Sequence, residues 1–171
     1  MAIVQVPNII DIEASGFGAL AYPIEVGYVL SNGERYCALI RPFEHWTHWS
    51  DDAEAVHKIP RQTLLERGKS PSAICCELNE QLQGATVYSD AWVVDKPWLN
   101  RLFHDAGIPM QFFISPIELI LDERQFEHWP DVRDAVITEH EIERHRASND
   151  AWIIQQTFLR LQQSDITLLR Y

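Results

Sequence analysis

One segment near the start, Ile9-Ile10-Asp11-Ile12-Glu13-Ala14, restricts what this chain can fold into more than any other. Its isoleucine-rich pattern reads as a buried β-strand. Residues two apart on a strand point the same way, so Asp11 and Glu13 aim two negative charges at one spot. A strand of this kind carries a like-charge penalty, and the rest of the chain has to supply the compensating charge.

The next two runs, 22–30 and 34–42, flank Ser31-Asn32-Gly33. An Asn-Gly pair between β-rich segments predicts a hairpin, so the first forty or so residues read as three antiparallel strands. The segment from Phe43 to Glu54 reads as a loop carrying Trp46, His48 and Trp49. Pro60 and Gly68 bracket a short helix, and helical spacing from Pro71 ends at Gly84. A short strand follows at 86–90, then a helix with Asp95 as candidate N-cap and Gly107 as its stop. Residues 112–120 read as the last strand, 121–144 as helical with a break at Pro130, and 147–163 as a long amphipathic helix. A meander followed by alternating helix and strand gives an α/β fold, a mixed sheet flanked by helices. Ligands in such sheets sit at strand ends near the topological switch point, which is where Asp11 and Glu13 lie. At 171 residues the expectation is one domain, 1–171, with a core that needs no staples.

The formal net charge of −11 argues against an extended nucleic-acid footprint, since phosphates are held mainly by Lys and Arg. It is compatible with a carboxylate-rich metal site, where bound divalent cations would be the largest local charges. Cys37, Cys75 and Cys76 form no disulfide framework and no C-x-x-C zinc spacing. Core packing is the expected role of all three, in a reducing cytoplasm. The N-terminus shows no basic, signal-like region, and no apolar run reaches the length of a membrane span, so a cytoplasmic protein with no membrane partner is expected.

The other pole of the chain is Glu143-Arg144-His145-Arg146-Ala147-Ser148-Asn149-Asp150-Ala151. His145 precedes a helix, and Asp150 falls in its first turn. Taken alone, Asp150 can simply complement the helix dipole and His145 can be a surface histidine. The order along the chain adds something further. D-x-E on the first strand, a mid-chain Asp at a helix start and H-R-A-x-x-D-A together resemble the DEDDh 3′–5′ exonucleases, the DnaQ-like members of the ribonuclease H-like fold. By this resemblance Asp11, Glu13 and Asp150 match three of four metal-binding carboxylates, and His145 matches the general base. Gly16, Phe17, the Tyr22–Gly27 strand and the 53–64 segment also match, with Lys58 where the family's turn carries glycine. The likeness extends from about Ile9 to Leu161. It departs in the middle: the family's H-N-x-x-F-D is here Asp90-Ala91-Trp92-Val93-Val94-Asp95. By offset Asp95 takes the fourth carboxylate's place. A capping role for Asp95, and Asp90 as the ligand in its stead, both stay open.

The resemblance implies a ribonuclease H-like mixed five-stranded sheet and a metal-dependent 3′–5′ exonuclease. Such an enzyme releases nucleoside 5′-monophosphates from the 3′ end of single-stranded DNA or RNA. Two divalent cations, Mg²⁺ or Mn²⁺, would turn the Asp11–Glu13 pair from a liability into a ligand set. An imidazole at His145 can accept a proton near neutral pH. Phe17 would wedge against the terminal base or else belong to the core. Gly16, Trp92 and Arg146 are further candidate substrate contacts. Arg144 shares with Arg146 the alternative of a solvated surface role, and Trp46, Trp49 and Trp92 the alternative of packing. His57 matches the family turn and reads as structural; the other histidines, His48 among them, show no ligand spacing. A second copy of the chain is a further candidate partner. The competing reading is a nuclease-like domain that binds nucleic acid or a protein without cleaving.

Overall fold

The computed structural model describes residues 5–168, with side chains through Gln163. The strands are β1 (Asn8–Ala14), β2 (Pro23–Val29), β3 (Arg35–Leu39), β4 (Thr86–Ser89) and β5 (Phe113–Pro116). They form one sheet in the order β3-β2-β1-β4-β5. The β1–β2 and β2–β3 pairs are antiparallel, and β1–β4 and β4–β5 are parallel. The α/β fold with a mixed five-stranded sheet is thus as expected. The hairpin turns where the sequence places it: Gly33 adopts φ +86°, and the Asn32 side chain accepts from the Glu34 N–H.

The helices are α1 (Asp51–His57), α2 (Arg61–Arg67), α3 (Pro71–Leu82), α4 (Trp92–Ala106), α5 (Glu123–His140) and α6 (Ala147–Leu168). They cover both faces of the sheet. Ile10 and Ile12 pack with Ile74, Leu78, Leu99 and Leu102 from α3 and α4. Ile9 packs on the other face with Trp129 of α5 and with Ile154 and Phe158 of α6. The two-residue period of β1 therefore puts Asp11 and Glu13 on the α6 side. That face is apolar where the strand begins and acidic where it ends.

Four local expectations are corrected. Residues 51–54, expected as loop, are helical and open α1, because the Ser50 side chain caps that helix by accepting from the Ala53 N–H. Helix α4 starts one turn early, at Trp92 after Ala91, so Asp95 lies inside the first turn and is not its cap. The last strand stops at Pro116 and passes into a 3₁₀ turn, Ile117–Ile120. Pro130 does not break α5: it is exposed, and water can reach the carbonyl that loses its partner. A capping box between Asp122 and Gln125 starts that helix. Of the cysteines only Cys75 is buried, whereas Cys37 and Cys76 are exposed.

Candidate active site

Helix α6 begins beside the acidic end of β1 because two features hold it there. One is Gly27, the cross-strand neighbour of Asp11. A Cβ on Gly27 would stand 2.3 Å from the Ser148 nitrogen and 2.5 Å from the Ala147 carbonyl carbon, so only glycine lets the helix start approach β2 this closely. The other is Glu25, fully buried on β2. Its carboxylate accepts from the Ala147 N–H at 2.8 Å and from Arg146 Nη2 at 2.7 Å. A buried charge is thereby matched by a helix N-terminus and a guanidinium.

This anchoring brings Asp150 and His145 to Glu13. One ligand-type atom from each of Glu13, His145 and Asp150 lies within 4.8 Å of the other two. His145 adopts φ +63°, a left-handed backbone unusual for a side-chain-bearing residue. Its N–H donates to Asp150 Oδ2 at 2.9 Å. One carboxylate oxygen of Asp150 thus holds the turn, while Oδ1 is buried and has no hydrogen-bond partner. The nearest cation is Arg144, whose Nε is 3.7 Å from that oxygen.

Asp11, Asp90 and Asp95 line the same cleft, of about 810 Å³, together with these three residues. Burial, then the charge of Asp95, Glu13, Asp150 and Asp90 in that order, raises the Asp11 carboxyl well above the usual range. Glu13 is pushed up to about 7, chiefly by burial and then by Asp150 and Glu25, against the opposing pull of Arg144 and Arg146. Asp95, 1% exposed, is raised to about 8 by burial despite the Ser89 hydroxyl donating to its Oδ2. Burial also raises Asp90, but Arg133 beside it, 3.4 Å away, pulls the other way. Carboxylates gathered so tightly with an unpartnered oxygen among them fit a hard divalent cation, whose preferred donors are oxygens. Glu13 and Asp150, with His145, are the residues whose ligand atoms come close enough to share an ion; Asp11 and Asp95 line the same cleft, and Asp90 faces Arg133.

The remaining expected site residues divide. Phe17 is 78% exposed at the cleft, which excludes a core role, and its ring centroid is 6.0 Å from that of Trp98. Gly16 lines the cleft at φ +143°, and a Cβ there would be 2.8 Å from the His48 ring. Trp92 lies elsewhere: its indole N–H donates to the Ile114 carbonyl. The Arg146 fork is engaged by Glu25, a structural position where a phosphate contact is expected from the sequence. Trp46 is fully buried, and the Trp49 N–H donates to Glu54. His57 is buried, with its Nδ1 accepting from the Ile59 N–H. Lys58 behind it takes φ +55° at the end of α1, a conformation that suits glycine.

The structure adds His48, Val56, Trp98 and Arg133 to the cleft. Trp98 had a signal, since it stands three positions after Asp95 on one helix and so shares its face. His48 and Arg133 had none, because a loop and a distant helix carry them in.

No family model matches the chain, and no curated protein matches it. Solved structures do. An exonuclease I from Methylocaldum szegediense superposes with a TM-score of 0.68 at 14% identity, over 92% of this chain and 40% of that one. E. coli exonuclease I in complex with a dA16 oligonucleotide gives 0.69 at 14% identity, again over 92% and 40%. A zinc-bound E. coli exonuclease I–single-stranded DNA complex gives 0.66 at 14% identity, over 87% and 38%. The chain spans about two fifths of the length of these proteins. At such identity the likeness shows the fold, and the fold is the ribonuclease H-like one.

Proposed function

We propose that this protein is a metal-dependent 3′–5′ exonuclease that shortens single-stranded DNA or RNA from the 3′ end and releases nucleoside 5′-monophosphates. The observation that carries the reading is the convergence of Glu13, His145 and Asp150 within 4.8 Å, in one cleft with Asp11 and Asp95. Asp11, Glu13, Asp95 and Asp150 would hold two divalent ions, Mg²⁺ or Mn²⁺. Ions bound there supply positive charge for the phosphoryl and leaving oxygens and favour ionisation of the attacking water. The His145 imidazole accepts that water's proton, held toward the carboxylates by the turn that Asp150 fastens. Phe17, exposed beside Trp98, offers an aromatic face on which any terminal base can stack. Oligonucleotides bound to the exonuclease I neighbours are single-stranded DNA, which favours a nucleic-acid substrate here as well.

The test is incubation of 5′-labelled single-stranded DNA and RNA with Mg²⁺, Mn²⁺ or EDTA. A ladder shortening from the 3′ end, seen with metal and suppressed by EDTA, is the expected result. Intact substrate under every condition sinks the enzymatic reading, and retained binding in that case identifies a non-cleaving domain.

A further inference from the structure

The arginines around the cleft differ in how fully they are used. Arg146 gives its fork to Glu25. Arg144 stands beside Asp150. Arg133, which α5 carries into the cleft wall, has one partner: its Nη1 lies 3.4 Å from Asp90 Oδ2. Its Nε is buried and donates to nothing. A guanidinium has five N–H donors in one plane, and here one is engaged, at a long distance. An unpaired buried donor is costly, and the side chain as a whole is 32% exposed in the cleft lining, where an incoming acceptor can meet it.

The chemistry of that acceptor follows from its surroundings. A planar fork matches groups with two adjacent anionic oxygens, which are carboxylates and phosphates. Among the described residues the carboxylate that Arg133 meets is Asp90, at that long distance. The aromatic side of the cleft, Phe17 and Trp98, comes from the loop after β1 and from α4, whereas Arg133 comes from α5. A ligand with a flat apolar part and an anionic part would find a separate place for each. We propose that Arg133 holds a backbone phosphate of the bound oligonucleotide, exchanging its long Asp90 contact for a bidentate one. The inference rests on the exonuclease reading and names a residue that positions the substrate.

The experiment measures binding of 5′-fluorescein-labelled pentathymidylate and pentauridylate in Ca²⁺, for wild type and Arg133→Met, which keeps the aliphatic stem. The variant should bind about 10- to 100-fold more weakly, as expected for loss of a charge-assisted pair. Its salt slope should be shallower by about 0.7, one phosphate's share for a single strand. A set of pentathymidylates, each with one linkage replaced by a neutral methylphosphonate, locates the contact. At one linkage the replacement should weaken wild type but leave Arg133→Met unaffected. Equal affinity and slope in the two proteins overturns the proposal, as does additivity at every linkage. Restoration of Arg133→Met binding by Asp90→Asn overturns it too, because Arg133 would then only neutralise Asp90. Wild type binding neither oligonucleotide removes the exonuclease reading and this proposal together, whereas normal wild-type binding with an indifferent Arg133→Met removes this proposal alone. If Arg133→Met melts below wild type, Arg133→Lys carries the test. Affinity should then drop several-fold at an unchanged salt slope, and wild-type affinity for the lysine variant refutes bidentate contact.

Discussion

At the scale of single residues, Asp11, Glu13, Asp90 and Asp95 hold protons more tightly than the same groups do in an unfolded chain. Glu13 is raised from 4.5 to about 7 and Asp95 from 3.8 to about 8, with burial the largest cause in both. A raised carboxyl binds extra protons in the folded state, so its effect on stability worsens as pH climbs from the unfolded pKa to the folded one. Without metal, the protein should therefore lose stability between about pH 4 and pH 8 as these groups are forced to ionise in place. A divalent cation favours the ionised form and stabilises the native state by mass action. The rise in melting midpoint on adding Mn²⁺ to EDTA-treated protein should accordingly be larger at pH 8 than at pH 5.5. Equal shifts at the two pH values would show that these carboxylates do not bind the ion, and Asp11→Ala should remove most of the shift. His145 and Asp150 separate along a different line. His145→Ala should slow hydrolysis by roughly 10²–10⁴-fold while leaving the Mn²⁺-induced melting shift nearly intact. Asp150→Asn keeps an oxygen for the His145 N–H but removes the charge, so it should lose both rate and shift. Single-turnover rates set beside the melts decide this, and wild-type cleavage by His145→Ala rules it out as the base.

At the scale of elements, the site depends on how closely α6 approaches β2. Gly27 permits the contact, and Glu25 fastens the helix start through the Ala147 N–H and Arg146. Gly27→Ala would push a methyl group into backbone atoms, which cannot move aside as a side-chain tip can. The expected cost is about 1–3 kcal/mol or more, typical of overpacking. A lower urea midpoint at an unchanged m-value is the signature to look for. Activity should fall further than stability alone explains, because Asp150 and His145 travel with the helix. An unshifted midpoint would mean that α6 does not sit against the strand as described.

At the scale of the whole molecule, the excess of acidic over basic residues limits how many phosphates can be held. The chain has 14 Lys and Arg against 25 Asp and Glu. Several arginines near the cleft are committed within the protein: Arg146 to Glu25, Arg101 to the Ala21 carbonyl and Arg61 to the Trp46 carbonyl. Arg133 and Arg144 remain at the cleft itself. Two neutralised phosphates give a salt slope of about −1.4 for a single strand, at roughly −0.7 each. A slope steeper than about −4 would reveal a basic track that these residues do not provide. Among the described residues no helix is long and apolar enough to cross a membrane.

The opening three-strand meander, the hairpin at Asn32-Gly33 and the start of α6 ahead of Asp150 were legible in the chain alone. Each rests on local chemistry: a two-residue period, an Asn-Gly turn, a helix that begins where apolar spacing begins. Asp11 and Glu13 could be paired on one face for the same reason. Tertiary structure was needed wherever a side chain's partner comes from far along the chain. Arg146 looks from the sequence like a free cation beside His145, and only the packing of α6 on β2 reveals Glu25 as its partner, 121 positions away. Phe17 fits core or surface equally well until the loop after β1 is placed, and Arg133 gives no sign of a site until α5 folds back beside Asp90. The carboxylates tell the same story in energetic terms. Their identity is written locally, but the strength with which they hold protons comes from burial and from one another, and those distances exist only once β1, α4 and α6 have met.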